Sequence, residues 1–195
     1  MRTSHVPEQL SFDAVESQEK GNDRLLFAIL PPPATAEQIA RLGSHLGHQH
    51  GLRGDIVDQQ RLHITLHHFG DYDGLPPGIV SMAKTAAACL KVAPFDVVFD
   101  RAVSFKNSHA FVLRGGNELT ALLSFRQALS VEMIKAGLRD FTRSPFTPHV
   151  TLQYDDRLVV EHEIEPVRWT VNEFVLVHSL IGKHEHRHLA RWPLL

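Results

Sequence analysis

Apolar and polar positions along the chain follow patterns that predict seven strands and three helices. Residues 24–30 form an apolar run that ends at three prolines, which is typical of a buried strand. From Thr35 the apolar side chains recur at helical spacing until Gly51. Two further helices are predicted over residues 78–92 and 117–136, the last with Asn117 as its N-cap. The other predicted strands cover residues 61–69, 95–105, 110–114, 146–154, 171–181 and 187–192.

The order of these elements predicts an α+β fold. Strands often follow one another directly, which favours antiparallel pairing over an alternating parallel sheet. The second half repeats the plan of the first, so we expect a single domain over residues 23–195 in which two halves share a core. Residues 1–22 are polar, which predicts a flexible tail, and they lack the apolar stretch of a secretory signal.

The composition of the chain argues against several classes of protein. The chain has 195 residues, of which 43% are hydrophobic and 22% charged, and a formal net charge of −2. That balance lacks the basic surplus of a protein that coats long nucleic acids, although it leaves room for a pocket that binds a short anion. The single cysteine, Cys89, excludes an internal disulfide, and its alanine-rich surroundings predict a packing residue. No apolar run reaches the roughly 20 residues of a membrane span, so we expect a cytoplasmic protein with neither a membrane nor an obligate protein partner.

Histidine is unusually frequent, with 14 residues, and two of them lie in a repeated tetrapeptide. The two copies are His63-Ile-Thr65-Leu and His149-Val-Thr151-Leu, one in each half and both inside predicted strands. Either copy alone is better explained as a strand histidine beside a β-forming threonine. Two copies with aliphatic residues at the second and fourth places are improbable by chance, so the pair indicates function.

The spacing within the motif indicates which side chains act together. Residues i and i+2 of a strand share one face, so His63 accompanies Thr65 and His149 accompanies Thr151. If the halves are related by symmetry, both faces line one cleft. Two imidazoles then supply a general acid and a general base near pH 7, and two hydroxyls donate to phosphate oxygens. This set suits in-line displacement at a phosphodiester without a metal, and the residues alone leave open which histidine is the acid.

These motifs resemble those of the 2H phosphoesterase superfamily and, more narrowly, its branch of 2′-5′ RNA ligases and RNA 2′,3′-cyclic phosphodiesterases. The resemblance spans residues 24–195. It includes the first strand with its prolines, the segments Leu62-His-Ile-Thr-Leu-His-His-Phe-Gly70 and Pro145-Phe-Thr-Pro-His-Val-Thr-Leu152, and residues 169–180. It implies a bilobal α+β fold, with two pseudo-symmetric lobes and antiparallel sheets around a central cleft.

The resemblance also implies an activity and a role for each motif residue. The reaction is metal-independent hydrolysis of an RNA or nucleotide 2′,3′-cyclic phosphate to a 2′-phosphate, in some members with reversible 2′-5′ RNA ligation. No cofactor is implied, and the partner is a short RNA end or a nucleotide cyclic phosphate. His63 is the implied proton donor and His149 the implied acceptor, while Thr65 and Thr151 bind the phosphate.

One position departs from the family pattern. Bacterial members often carry an arginine two residues after the last aliphatic residue of the second motif, where this chain has Tyr154. Either the site lacks the positive charge of that arginine, or Arg61, Arg143 or Arg157 supplies it. Two other functions therefore stay open. One is cleavage of another small cyclic phosphate, such as ADP-ribose cyclic phosphate, and the other is binding of an RNA end or nucleotide without turnover.

Three further residues are candidates for the cleft. His67 shares the predicted strand face of His63 and Thr65, which suggests a supporting role. The rings of Phe105 and Tyr154 can stack on a base, although core packing is favoured for Phe105.

A second histidine cluster suggests a different class of enzyme. The segment His184-Glu-His-Arg-His188 places three histidines on one face if it is extended, as a metal-dependent hydrolase would need. A solvent-exposed loop or edge strand is the favoured interpretation, because beyond Glu185 no carboxylate or cysteine lies at ligand spacing.

Overall fold

The computed structural model describes residues 21–116 and 119–195, and within them the chain forms eight strands, three α-helices and two short 3-10 helices. In chain order the main elements are β1 (Asp23–Ile29), α1 (Pro33–His50), β2 (Ile64–Tyr72), α2 (Pro77–Ala88), β3 (Phe95–Phe105), β4 (Ala110–Arg114), α3 (Thr120–Lys135), β5 (His149–Tyr154), β6 (His162–Val171), β7 (Glu173–Leu180) and β8 (Glu185–Pro193). The 3-10 helices are Gln59–Arg61 and Arg139–Thr142. The predicted N-cap Asn117 and residues 1–20 of the predicted tail lie outside the described residues.

The strands form two antiparallel four-stranded sheets. Their strand orders are β2-β1-β7-β8 and β5-β4-β3-β6, so each motif strand, β2 or β5, lies at an edge of its own sheet. These two edge strands contact each other across the molecule. The α+β fold with two antiparallel sheets, predicted from the order of elements and the family resemblance, is confirmed.

The position of β1 in the core explains why its sequence is an unbroken apolar run. β1 lies between β2 and β7, and all its residues from Leu25 to Ile29 are buried. Phe27 contacts the rings of Phe69, Phe174 and Trp192 edge-on, at centroid distances of 5.2, 5.8 and 5.9 Å. A strand that is covered on both faces has no polar face to alternate with.

The prediction of seven strands is wrong by one, because it missed β6. Val167, Trp169 and Val171 of this strand are buried and alternate with partly or fully exposed residues. Pro166 argues against a strand in the sequence, since proline donates no N–H to a ladder. The fold accommodates it because β6 is an edge strand, and its pairing with β3 shifts register nearby.

Two smaller expectations also differ from the structure. Cys89 follows the C-terminus of α2 and is exposed, so it is not a packing residue. β2 begins at Ile64 instead of residue 61, because Arg61 closes the 3-10 helix that precedes it. Within the described ranges, no helix is both long and apolar enough to cross a membrane.

Candidate functional site

Both copies of the repeated motif line a single cleft of about 330 Å³ between the two sheets. His63 lies one residue before β2 and His149 is the first residue of β5, so each imidazole stands at the start of an edge strand. The residues that line the cleft are Arg24, Leu26, Val57, Arg61, His63, Thr65, His68, His149, Thr151, Tyr154, Ser179 and His186. The fold therefore brings together all four residues that the motif pair singled out.

The two motif histidines are held in the same way. Nδ1 of His63 lies 2.6 Å from the carbonyl oxygen of Arg61, and Nδ1 of His149 lies 2.7 Å from that of Thr147. In each case the acceptor belongs to the residue two places before the histidine. A carbonyl oxygen only accepts, so Nδ1 carries the hydrogen and Nε2 is the atom left for proton transfer.

A threonine hydroxyl completes the first motif. Oγ1 of Thr65 lies 3.1 Å from Nε2 of His63. When the imidazole is neutral, the hydroxyl donates to Nε2. When the imidazole is protonated, Nε2 donates to Oγ1, and the hydroxyl hydrogen is free to turn toward a ligand. Protonation of His63 therefore prepares a second donor in the cleft.

Burial and positive neighbours lower the pKa of two cleft imidazoles, His63 and His186. Burial is the main cause that lowers the pKa of His63, and His149, Arg61 and Arg24 lower it further. The Arg61 carbonyl opposes this effect by accepting from the ring. His186 packs edge-on against His63 at a centroid distance of 5.2 Å, and burial lowers the pKa of His186 to about 3. A bound anion would oppose these shifts, because a nearby negative charge favours the protonated ring.

Two arginines line the cleft, and one of them is paired with a carboxylate. Nε and Nη2 of Arg24 donate to the two carboxylate oxygens of Asp71 at 2.7 and 2.8 Å, and these bonds lower the pKa of Asp71 to about 2. Arg61 is the only one of the three arginines considered above that lines the cleft. Arg143 instead lies 3.4 Å from a carboxylate oxygen of Asp140.

Arg24, Ser179 and His186 were not predicted, although they form one row across a sheet. Arg24 pairs with Asp71 on one side and with Ser179 on the other, and Ser179 in turn pairs with His186. Side chains at directly opposed positions share a face. The apolar pattern predicted that Arg24, Ser179 and His186 lie in or beside strands. Only the strand register shows that they lie side by side in the cleft.

His67 does not line the cleft, and the prediction that it shares a face with His63 and Thr65 is wrong. The pairing of β1 with β2 passes from Ala28–Thr65 to Phe27–His67, so Leu66 is the extra residue of a β-bulge. A bulge interrupts the alternation of faces. His68 consequently follows Thr65 on the cleft side.

The second motif strand contains the same bulge. The pairing of β4 with β5 passes from Val112–Thr151 to Phe111–Gln153, so Leu152 is the extra residue. Gln153 thus corresponds to His67, and the two side chains are 3% and 2% exposed. The halves therefore share the motif and also a β-bulge at its last residue.

Both residues that follow a bulge are buried polar anchors. Nδ1 of His67 donates to the carbonyl oxygen of Phe141 at 3.2 Å, and the hydroxyl oxygen of Ser130 lies 3.2 Å from Nε2. Nε2 of Gln153 donates to the carbonyl oxygen of Gly54 at 2.9 Å. Each anchor thus binds the main chain of a segment outside its own sheet.

The burial of His67 predicts a loss of stability in acid. Burial is the main cause that lowers the pKa of His67 to about 4, whereas the unfolded chain titrates near 6.5. Between these values the unfolded state binds a proton that the folded state does not, so stability falls as pH falls from about 6.5 to 4. The contribution is about 3 kcal/mol. The test is urea unfolding of wild type and of His67→Gln, which introduces the residue found at the corresponding position, Gln153. Between pH 7 and pH 4, the free energy of unfolding should fall by about 3 kcal/mol less in the variant than in wild type. Equal losses would contradict the assignment.

Phe105 and Tyr154 occupy different positions. Phe105 is partly buried and does not line the cleft; its ring packs edge-on against His149 at a centroid distance of 5.0 Å. Tyr154 lines the cleft and is 49% exposed. Tyr154 is thus the candidate with a ring free to contact a ligand, whereas Phe105 helps hold a motif histidine.

The C-terminal histidines make different contacts instead of converging on one point as metal ligands would. His186 faces the cleft, Nδ1 of His184 lies 3.0 Å from Arg61 Nη1, and Nδ1 of His188 lies 2.6 Å from Arg191 Nη2. His184 precedes β8, and His186 and His188 lie within it. β8 is an edge strand, which agrees with the prediction of a loop or an edge strand for this segment. In the described part of the chain, no three His, Cys, Asp or Glu side chains are grouped as a metal site would need.

Comparisons with known proteins agree with this architecture. The family model described as the 2′-5′ RNA ligase superfamily matches residues 31–182. No curated protein matches the chain by sequence.

Several solved structures are similar to the chain over most of their length. LigT of E. coli complexed with 3′-AMP is 25% identical, with a TM-score of 0.69, over 88% of this chain and 98% of LigT. The LigT complex with NADP+ gives 26% identity and a TM-score of 0.68, over 89% and 98%. The protein TT0787 of Thermus thermophilus shares the fold at 19% identity and a TM-score of 0.64, over 88% and 97%.

Proposed function

Since the chain belongs to the 2′-5′ RNA ligase superfamily, we propose that it hydrolyses a 2′,3′-cyclic phosphate of RNA or of a nucleotide to a 2′-phosphate. The observation that carries this proposal is the matched pair of imidazoles. Each donates from Nδ1 to the carbonyl two residues earlier and keeps Nε2 for chemistry in the same cleft. LigT, at 25% identity, forms complexes with 3′-AMP and with ATP, which supports a nucleotide as ligand.

The reaction uses the two imidazoles in opposite protonation states. Nε2 of His149 accepts a proton from water as the water oxygen forms a bond to phosphorus. The bond between phosphorus and O3′ breaks, and Nε2–H of His63 gives its proton to O3′. A 2′-phosphate and a 3′-hydroxyl result, and exchange with solvent returns the proton from His149 to His63. The direction of transfer, from His63 as donor to His149 as acceptor, follows the family resemblance.

The hydroxyls and the arginines stabilise the phosphate during this step. The Thr65 hydroxyl, released when His63 is protonated, and the Thr151 hydroxyl donate to the non-bridging oxygens. Negative charge on those oxygens grows in the transition state, which is where placed donors contribute most. Arg61 and Arg24 take the place of the arginine that Tyr154 replaces, because both line the cleft.

Turnover of 2′,3′-cyclic AMP tests the proposal against its alternatives. We expect many turnovers per protein molecule, unchanged by EDTA. Stoichiometric binding without product over hours would instead support a binding module. Activity that EDTA abolishes and zinc or manganese restores would support a metal-dependent hydrolase. Hydrolysis of ADP-ribose cyclic phosphate, but not of 2′,3′-cyclic AMP, would identify the former as the substrate class.

The low pKa of His63 predicts a difference between two pH profiles. The proton donor must be charged, and in the free protein burial lowers the pKa of His63 below 6.5. The phosphate anion of a bound substrate raises that pKa. Because kcat/KM reports the free enzyme and kcat the complex, the alkaline fall of kcat/KM should lie at lower pH than that of kcat. Coincident limbs, or the reverse order, would contradict the donor role of His63.

A further inference from the structure

Arg126 of α3 does not line the cleft, but its guanidinium binds the main chain beside both motifs. Nε donates to the carbonyl oxygen of Leu66 at 3.0 Å, and Nη2 donates to that of Ser144 at 2.9 Å. Leu66 directly follows Thr65 in β2, and Ser144 lies five residues before His149 in the segment that leads into β5. One side chain thus joins the motif strand of the first sheet to the segment that enters the second sheet.

An aromatic ring holds the guanidinium on the side of the second motif. The guanidinium carbon of Arg126 lies 4.5 Å from the centre of the Phe146 ring, a cation–π contact. The next residue is Thr147, whose carbonyl oxygen accepts from Nδ1 of His149 at 2.7 Å. Because that bond leaves the lone pair of His149 on Nε2, any movement of the segment at Phe146 also moves the group that orients the imidazole.

On the side of the first motif, Arg126 binds the main chain at the β-bulge. Leu66 is the extra residue of that bulge, where the ladder of strand hydrogen bonds is interrupted. The bond from Arg126 therefore holds the backbone directly after Thr65. The hydroxyl of Thr65 lies 3.1 Å from Nε2 of His63, so both functional groups of the first motif depend on the position of this backbone.

The surroundings of Arg126 indicate that its charge contributes little to stability. Burial lowers the pKa of Arg126, so its guanidinium is partly removed from water. Within the described residues its side chain bonds to the two carbonyl oxygens, and no carboxylate forms an ion pair with it. A partly buried charge without an opposite charge costs free energy, and an apolar side chain of similar length would fill the space at lower cost. The guanidinium adds a rigid planar fork that donates in two directions at once.

We propose that Arg126 is a positioning residue, which holds the backbone beside Thr65 and the segment before His149 at a fixed separation so that both motifs face the same phosphate. This inference rests on the proposed function of the cleft. Arg126 contacts neither the substrate nor the reacting atoms, and it acts through the main chain that it binds. Proton transfer and phosphate binding both need the reacting groups to be closely aligned, so a small change in this separation slows the reaction.

Arg126→Met tests the inference, because methionine keeps much of the length of the side chain and removes its donors. We expect kcat on 2′,3′-cyclic AMP to fall at least about tenfold, with KM within about threefold of wild type, since a misplacement of about 1 Å costs up to about 100-fold. Arg126→Lys, which keeps the charge and loses the planar fork, should recover only part of the loss. The matched control is Arg101→Met, which removes a guanidinium that pairs with Glu163 on β6, and it should leave kcat unchanged.

Urea unfolding of the same variants separates a positioning role from a merely structural one. A merely structural role would lower the free energy of unfolding of Arg126→Met and leave kcat of the folded variant within about threefold of wild type, which would overturn the inference. A raised KM with unchanged kcat would overturn it too. If Arg126→Met does not fold, Arg126→Lys and Phe146→Leu take its place. Each should lower kcat about threefold or more at unchanged KM, and wild-type kcat in both would reject the positioning role.

Nitrogen NMR of the imidazole rings separates this inference from the proposed function. If wild type hydrolyses no cyclic phosphate, the proposed function fails, and the tautomer of His149 then decides about Arg126. At alkaline pH, where the ring is neutral, wild type should show the Nδ1–H tautomer that the bond to Thr147 requires. Arg126→Met should shift the His149 signals toward a mixture of tautomers, and Arg101→Met should not. In that case, a His149 tautomer that is unchanged in Arg126→Met would reject the inference.

Discussion

Replacing His149 with alanine is expected to lower kcat for a 2′,3′-cyclic nucleotide by about 10²–10⁴-fold, and replacing His63 should do the same, because each removes one partner of the proton transfer. The double variant should be little worse than either single variant, since the acid and the base act in one step. Single-turnover and steady-state rates on 2′,3′-cyclic AMP measure both effects. His45→Ala, an exposed histidine of α1, is the control for changes in histidine number.

The outcome that contradicts this prediction is specific. A single variant that keeps a third or more of wild-type kcat, with its fold intact by circular dichroism, would show that its imidazole transfers no proton in the rate-limiting step. Full activity in the double variant would remove the acid–base mechanism altogether.

Replacing Thr151 with valine, which keeps the shape and removes the hydroxyl, is expected to lower kcat by about 10²–10³-fold with little change in KM, and Thr65→Val likewise. This is the size of effect seen when a donor to a developing negative charge is lost. The matched controls are Thr65→Ser and Thr151→Ser, which keep the donor. Serine variants should lie within about tenfold of wild type in steady-state assays on 2′,3′-cyclic AMP.

The serine controls give this prediction its force. If serine is as damaging as valine at either position, the methyl group and its packing matter, and the hydroxyl does not. If valine is harmless, the phosphate is held by other groups of the cleft, among which Arg61 and Arg24 are the charged ones.

The motif pair could be read from the sequence because it depends on local geometry alone. His63 and Thr65, like His149 and Thr151, are two residues apart, and strand alternation is enough to put them on one face. Helix and strand positions were predictable for the same reason, since apolar spacing reports the local period. That both faces meet in one cleft needed the further assumption of related halves.

Other parts of the cleft depend on strand register, which the sequence does not state. The bulges at Leu66 and Leu152 reverse the faces of the residues that follow, so His68 lines the cleft and His67 does not. Arg24 of β1 and His186 of β8 lie on strands that are far apart in the chain and that pair with opposite edges of β7. β6 escaped prediction because its proline is tolerated only at a sheet edge.

The most direct test of the central claim is the identity of the product made from 2′,3′-cyclic AMP in the presence of EDTA, resolved by chromatography against 2′-AMP and 3′-AMP. The two-histidine mechanism, with His63 protonating O3′, predicts repeated turnover to 2′-AMP alone. Formation of 3′-AMP, or no turnover while the cyclic nucleotide binds, would contradict it.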